Sequence, residues 1–212
     1  AGAGHAARRM KTAREIVDAS SPSVVEIDAG DDRVGTGFIV AAGGLVATNL
    51  HVIEGESTIK VKLYREATPV PVISIAGVDR GHDLALMWIK PPHALSVVQL
   101  GDSSAVAAGD KVYAIGNPLD LTYSISDGLI SQVRELSPDL TILQISAPIS
   151  VGSSGGPLFN QFGEVIGVTT AIVTDGQNIN LAVPSNYLGP MIRRPQTIAL
   201  PEFAKDTQDL AA

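Results

Sequence analysis

The 212-residue chain has no cysteine, few aromatic residues and no excess of positive charge. Without cysteine it has no thiol nucleophile, no disulfide and no thiolate metal ligand, although this leaves the redox compartment open. A formal net charge of −7, with no basic stripe, argues against nucleic acid as a partner. No apolar run approaches the length of a membrane span. At 45% hydrophobic residues, the chain is nevertheless long enough to bury a core.

The two ends of the sequence differ from its middle. AGAGH at the start is typical of a cloning remnant rather than a signal peptide, and an export signal could have been removed upstream. In AARRMKTAREIVDA, a helical face of Met10, Ala13, Ile16 and Val17 predicts a helix that ends at SSP. We therefore expect an N-terminal extension over residues 1–19. SNYLGPMI predicts a short closing helix, and residues 193–212 are expected to form a surface tail or linker.

Between these ends, the helical period gives way to short β-branched runs separated by Gly, Asp and Pro. The connections are too short to contain crossover helices, so a parallel sheet is improbable. About a dozen short strands at regular spacing predict an all-β fold of antiparallel barrels or a sandwich. The polar and Ala-rich stretch 91–110 is the candidate linker between two halves.

The stretch VGSSGGPLFN, residues 151–160, places two serines against two glycines and a proline. Its simplest interpretation is a turn between strands, because glycine reaches positive φ without steric cost and serine is common in turns. The alternative is a nucleophilic serine on a tight turn, with backbone N–H groups aimed at the reacting atom. A serine hydroxyl is a weak nucleophile, so this alternative requires a base and a group that orients the base.

Four histidines are available as that base, namely His5, His51, His82 and His93. A lone histidine beside an apolar strand, such as His51, is commonly a core residue. His82 and Asp83 are adjacent and would point to opposite faces of a strand, so they are not expected to pair. The order of the residues decides between known triads. The α/β-hydrolase order needs a histidine after the serine, and none follows His93.

The subtilisin order needs an aspartate before the histidine and an α/β sheet, which these strand patterns do not predict. The chymotrypsin order of His, Asp and Ser is satisfied by His51, Asp83 and Ser154, and it belongs to a fold of antiparallel barrels. The predicted fold class and the order of the residues therefore agree.

A resemblance to a known family supports this order. From Ser20 to Leu188 the chain resembles the protease domain of the high-temperature-requirement A (HtrA) branch of trypsin-like serine proteases. The motifs that carry the resemblance occur in the family's order: GTGFIV, LVATNLHVIEG, HDLALMWIK, AIGNPLDLTYSISDGLIS, LQISAPISVGSSGGPLFNQFGEVIGVTTAI and NLAVPSNYL.

The resemblance implies two six-stranded antiparallel β-barrels, with a short N-terminal helix and a C-terminal helix. The protease domain is expected over residues 20–192, with barrel 1 at about 20–95 and barrel 2 at about 106–185. His51 and Asp83 would come from the first barrel and Ser154 from the second. No cofactor is implied, and no cysteine or histidine cluster offers a catalytic metal site.

By the same resemblance, Ser154 is the nucleophile and Ser153 a neighbouring filler. The backbone N–H groups of Gly152 and Ser154, within the segment Gly152–Ser153–Ser154, would form the oxyanion hole. The implied substrates are unfolded or damaged polypeptides, the implied location is the bacterial periplasm, cell envelope or outside of the cell, and a homotrimer is an expected assembly.

The specificity pocket also follows from the resemblance. Its base lies six residues before the nucleophile in trypsin-like folds, which is Pro148 here, beside Ile149. The opposite wall would come from Val168, Thr169, Thr170, Ala171 and Ile172. Such a lining offers no counter-charge for Lys or Arg, so we expect small and medium aliphatic residues before the scissile bond.

The loop before the serine departs from the family's usual sequence. An acidic residue is replaced by Ser146, and the proline that precedes the glycine in the family is replaced by Val151. Whether the oxyanion hole is preformed is therefore open at this stage. The rival hypothesis is a catalytically idle peptide-binding or chaperone-like module on the same scaffold, against which the intact triad argues.

Overall fold

The computed structural model describes residues 8–30, 33–116, 124–150, 152–174 and 177–208, and in these residues the chain forms twelve β-strands and four short α-helices. The side chains of residues 171–179 lie outside this description, as do the predicted positions His5 and Val151. The strands close into two six-stranded antiparallel barrels, which confirms the predicted fold class.

Barrel 1 contains the first six strands, in the order β1–β2–β3–β6–β5–β4 around the barrel. Alternation along the strands divides their side chains between two cores. Val25 and Ile27 of β1 fill the barrel interior, whereas Val24 faces the second barrel. The strands are β1 (Val24–Asp28), β2 (Val34–Ala41), β3 (Leu45–Asn49), β4 (Lys60–Lys62), β5 (Val70–Asp79) and β6 (Leu84–Ile89).

Barrel 2 repeats this architecture in the second half of the chain, in the order β10–β11–β12–β9–β8–β7. Its interior contains Val112, Leu143, Leu158 and Ile166. The strands are β7 (Lys111–Gly116), β8 (Ser124–Ser137), β9 (Leu140–Ile145), β10 (Pro157–Asn160), β11 (Val165–Thr174) and β12 (Gln177–Pro184).

A separate apolar cluster joins the two barrels. Phe38 and Leu86 from barrel 1 pack in it with Phe159 and Val168 from barrel 2, and Ile16 of the N-terminal helix completes it. All five side chains are fully buried. Because removal of apolar surface from water is the main favourable term in association, this cluster holds the barrels in one arrangement and thereby defines the cleft between them.

The N-terminal helix is shorter than the sequence predicts. Helix α1 spans Ala13–Ser20 and begins after Thr12, whose side chain accepts from the Glu15 N–H in a capping box. Met10 precedes the helix and is 62% exposed, so the predicted apolar face is reduced to its last turns. The capping box stops the helix from extending toward residue 8, because the backbone of an N-cap residue is not helical.

The connection between the barrels follows residues 91–110, the predicted linker. It contacts both barrels, since the Val98 N–H donates to Ile39 O at 3.0 Å and the Gly101 N–H donates to Val165 O at 2.9 Å. A short 3₁₀ helix, Ser103–Ala105, is capped by the Asp102 side chain. The linker is therefore an ordered segment that is hydrogen-bonded to both barrels.

Residues 193–208 are not the surface tail that we expected. After a 3₁₀ turn (Ser185–Tyr187) and helix α3 (Leu188–Arg193), the chain returns to barrel 1, where Ile198 pairs with Ile75 of β5. Helix α4 (Leu200–Gln208) then buries Phe203 in the barrel 1 core. Among the described residues, no helix is long and apolar enough to cross a bilayer.

Candidate active site

His51 is presented at the surface by a one-turn helix. Strand β3 ends at Asn49, and helix α2 (Leu50–Ile53) follows at once. Leu50, Val52 and Ile53 are buried in barrel 1, whereas the His51 side chain is 45% exposed. Three of the four residues of this helix thus anchor it in barrel 1, and the fourth, His51, points outward. The alternative that His51 is a buried core residue is therefore excluded.

Asp83 holds both the backbone and the ring of His51. Its carboxylate accepts from the His51 backbone N–H at 2.9 Å and lies 2.6 Å from ring Nδ1. Its carbonyl accepts from the Leu50 N–H and from Asn49 Nδ2, both at 3.0 Å. A proton on Nδ1 satisfies the carboxylate and leaves the lone pair of Nε2 facing outward, which is the tautomer that a general base requires.

The serine loop is docked on barrel 1 by its backbone. The Thr36 N–H donates to Ser154 O at 2.9 Å, and Thr36 Oγ1 donates to Gly152 O at 2.6 Å. Gly155 has φ of +86° and lies so close to Thr48 Oγ1 and the Thr36 carbonyl that a Cβ atom would overlap both. This contact places the loop against the end of β3, immediately before the helix that carries His51.

Gly152 gives the serine loop a backbone conformation that other residues rarely adopt. Its φ is +89°, in the left-handed region that favours glycine, and the Ser153 N–H donates to Ser150 O at 3.0 Å. Of the three residues predicted to form the oxyanion hole, Ser153 therefore has its N–H engaged within the loop.

Ser153 is buried, as a filler would be. Its hydroxyl lies 3.2 Å from Ser150 Oγ, and its carbonyl accepts from Thr169 Oγ1 at 2.8 Å. Only 8% of the residue is exposed, and its side chain packs against the Gly116 backbone. Ser154 is half-buried, on the side of the loop that docks onto barrel 1.

The residues predicted to line the specificity pocket are only partly brought together. Pro148, Ile149 and Thr169 line one small pocket of about 40 Å³, together with Ser153 and hydroxyls from the start of β8, Ser124 and Ser126. This pocket adjoins Ser153, on the side of the loop that faces β7 and β8.

The other predicted wall residues lie elsewhere. Val168 is fully buried in the cluster between the barrels, so its side chain cannot contact a substrate. Alternation along β11 explains the difference, since Thr169 points to the opposite face. Thr170 is almost buried, and Ala171 and Ile172 lie on β11 with side chains outside the description.

Comparison with known proteins agrees with this geometry. The trypsin-like peptidase domain family matches residues 35–168, more than half of the chain. The mitochondrial serine protease HTRA2 of Bos taurus is 35% identical over 197 residues, covering 85% of this chain and 42% of its own length. A DegP-like periplasmic serine endoprotease of Rickettsia prowazekii is 40% identical over 171 residues, covering 76% and 33%.

The chain belongs to the HtrA family of trypsin-like serine proteases.

Two solved structures share its architecture. The crystal structure of Deg5 superposes with a TM-score of 0.73 at 30% identity, covering 84% of this chain and 90% of Deg5. The HtrA-type protease AlgW, solved with a tripeptide, gives a TM-score of 0.77 at 28% identity, covering 86% and 63%. The chain spans only 42% and 33% of the lengths of the two HtrA relatives given above.

Two features of this HtrA domain escape sequence reasoning. Ser124 and Ser126 reach the pocket only through the register of β7 and β8, where Ala114 faces Ser126. Thr36 anchors the serine loop from a strand more than a hundred residues away. No local pattern in the sequence predicts either contact. In the described residues, no cluster of three or more His, Cys, Asp or Glu side chains is arranged to hold a metal ion.

Proposed function

We propose that the chain is a serine endopeptidase that hydrolyses peptide bonds with His51, Asp83 and Ser154. The observation that carries the proposal is the double contact of the Asp83 carboxylate with the backbone and the ring of His51. His82 makes the same two contacts with Asp79, but its side chain is only 18% exposed and its Nε2 faces a carbonyl, whereas the His51 side chain is 45% exposed beside the serine loop, as a general base requires.

In the proposed reaction, His51 Nε2 takes the proton from Ser154 Oγ as this oxygen attacks the scissile carbonyl. The same proton then passes to the leaving amine, while Asp83 stabilises the imidazolium that forms in between. In the second half of the reaction, water replaces Ser154 Oγ as the nucleophile: it gives a proton to His51, attacks the acyl-enzyme and releases the new carboxylic acid, and the proton returns to Ser154 Oγ. The Gly152 and Ser154 N–H groups are proposed to stabilise the developing oxyanion, an effect of order 10²–10³ in rate for one donor in another serine protease.

The proposed substrates are unfolded polypeptides, cut after aliphatic residues. Pro148 stands where the pocket base is expected, and neither it nor Ile149 offers a counter-charge to a basic side chain. The periplasm, the cell envelope or the outside of the cell is the proposed location, in line with the DegP-like relative, which is a periplasmic endoprotease by name. The proposed assembly is a homotrimer, on the family resemblance alone, and light scattering coupled to size exclusion measures its mass.

Labelling with a fluorophosphonate probe tests the proposed activity. This reagent modifies a serine only when a neighbouring base activates it, so we expect labelling of the native chain and none of Ser154→Ala or His51→Ala. Ser153→Ala is the matched control and is expected to label. A native chain that binds unfolded polypeptide but is not labelled would instead favour the idle binding module.

A further inference from the structure

His82 lies next to Asp83 in the chain but takes no part in the pairing with His51. Its ring Nδ1 is 2.7 Å from Asp79 Oδ2, and its ring Nε2 is 2.8 Å from the carbonyl oxygen of Asp139. Asp79 ends β5 of barrel 1, whereas Asp139 lies in the turn between β8 and β9 of barrel 2. The ring therefore bridges the two barrels one residue away from the triad aspartate.

Both partners of this ring are hydrogen-bond acceptors. A carboxylate and a backbone carbonyl carry no proton to donate, so each contact requires an N–H on the ring. A neutral imidazole has one N–H and one lone pair, and it would place the lone pair against an acceptor oxygen. The ring can maintain both contacts only as the imidazolium, which makes the bridge dependent on its charge.

The surroundings of the ring favour that charge. Tyr187 stacks on it with centroids 3.6 Å apart, and the Tyr187 hydroxyl donates to the same Asp139 carbonyl at 3.3 Å. The negative charges of the Asp79 and Asp139 carboxylates both favour the protonated ring. Arg80, in the same turn, directs its guanidinium to Glu54 and to the carbonyl of Asp206.

These groups raise the pKa of His82. Burial opposes the charged ring, but the hydrogen bonds with the Asp139 carbonyl and the Asp79 carboxylate outweigh it. A histidine whose pKa is higher in the folded than in the unfolded protein adds stability that is complete at acidic pH. This stability is lost as the pH rises through the raised value.

Asp83 needs support at its own backbone. Its φ of +53° lies in the left-handed region, which costs a residue with a Cβ some free energy even though aspartate enters it more readily than most. The Asp83 carbonyl is held by Leu50 and Asn49, on the C-terminal side of that torsion. On the N-terminal side stands His82, whose N–H donates to Asp79 Oδ1 at 3.1 Å and whose ring is held at both nitrogens.

We propose that His82 is a positioning residue for the triad: its doubly hydrogen-bonded ring ties the β5–β6 turn to barrel 2 and holds Asp83 in the backbone conformation from which its carboxylate reaches His51. The bridge works only while the ring carries both protons. The effect on catalysis rests on the proposed function, whereas the effect on the Asp83–His51 contact does not.

Kinetics across pH test the catalytic part, with a fluorescent casein as substrate. We expect kcat of the unmodified chain to decline at alkaline pH as His82 loses its proton. His82→Gln should lower kcat roughly 10-fold with KM unchanged, less than the roughly 100-fold that a misplacement of about 1 Å can cost, and should remove the alkaline decline. Asp79→Asn keeps the ring but removes the carboxylate, so it should move the decline to lower pH.

His93→Gln is the matched control. The ring of His93 also contacts a carboxylate, that of Glu66, and a carbonyl, that of Ala94, and these contacts raise its pKa as well. Both partners belong to the barrel 1 half of the chain, so this ring bridges nothing. We expect kcat and the alkaline decline to be unchanged in this variant.

An NMR measurement on the inactive Ser154→Ala protein separates the two proposals. A proton between His51 Nδ1 and the Asp83 carboxylate gives a resonance far downfield, and we expect it to weaken when His82 is replaced by Gln or loses its proton. A strong resonance in His82→Gln, or an alkaline decline that neither His82→Gln nor Asp79→Asn alters, would overturn the positioning role. An unmodified chain that cleaves nothing while the resonance depends on His82 would overturn only the proposed function.

Discussion

Ser153 and Ser154 are neighbours in the chain with different surroundings. Ser153 is buried against Ser150 and Gly116, whereas the Ser154 backbone is held by Thr36 at the cleft. A hydroxyl buried between Ser150 and Gly116 is not exposed for attack on a substrate in the cleft. The two residues therefore offer a direct comparison of nucleophile and filler.

We expect Ser154→Ala to lower kcat for peptide hydrolysis by roughly 10⁶, the size of the loss when the nucleophile is removed from another serine protease. Ser153→Ala should retain most of the activity, because it loses only the hydroxyl contact with Ser150 and leaves the backbone of the loop unchanged. Steady-state hydrolysis of a casein substrate measures both. If Ser153→Ala were the inactive variant, the assignment of the nucleophile would be wrong by one residue.

The serine loop can lie this close to barrel 1 only because Gly155 has no side chain. Its positive φ would cost an alanine about 1–2 kcal/mol, and the new Cβ would also overlap Thr48 and the Thr36 carbonyl. We expect Gly155→Ala to lower the free energy of unfolding by more than this and to abolish activity. Urea denaturation measures the first effect.

Gly109→Ala isolates the cost of the backbone. Gly109 has φ of +94°, and nothing lies within 4 Å of the position of a new Cβ. Only the cost of the left-handed conformation is expected here, with activity intact. Equal destabilisation by the two alanines would show that the contact with barrel 1 has no energetic role.

Among the elements, helix α4 has the clearest role that was unexpected from the sequence. Phe203 is 2% exposed in the barrel 1 core, and Thr207 Oγ1 accepts from the Gly55 N–H at 2.7 Å, two residues after α2 ends. The helix that carries His51 is thus supported by residues near the end of the chain.

We expect Phe203→Ala to lower the free energy of unfolding by about 3–5 kcal/mol, as for other buried phenylalanines, because it leaves a cavity in the core. Lys205→Ala changes an exposed residue of the same helix and should alter stability by less than about 0.5 kcal/mol. Chemical denaturation of both variants decides the matter. A Phe203→Ala protein as stable as its parent would mean that α4 is not part of the barrel 1 core.

At the scale of the whole molecule, substrate selection depends on segments from both barrels. We expect most cuts to follow Val, Ala, Ile or Leu, since a desolvated ammonium or guanidinium would find no partner at Pro148 and Ile149. The preference among these four residues should be broad, because one methylene is worth only about 1–3 kcal/mol in an apolar pocket. Mass spectrometry of a digested mixture of unfolded proteins measures it, and a majority of cuts after Lys or Arg would refute the pocket assignment.

The barrels and the outline of the site could be predicted from the sequence, because they rest on local patterns and on the order of motifs. The strand runs come from β-branched residues between turn residues, and the order of His51, Asp83 and Ser154 pointed to the barrel fold. The role of α4 could not be predicted, since Phe203 and Thr207 acquire it only through contacts with distant parts of barrel 1. The same is true of His82, whose partner Asp139 lies 57 positions away.

Each barrel is completed by a segment that lies next to the other barrel in the sequence, and this has a consequence for biosynthesis. Lys11, before α1, donates its N–H to Gln161 O of the second barrel, while Ile198 and α4 complete the first. A ribosome therefore releases all of barrel 1's strands long before the residues that support the His51 helix have been translated. We expect a nascent chain stalled before residue 198 to remain unreactive toward a serine-directed probe, so that reactivity arises only after residues 198–208 have been synthesised.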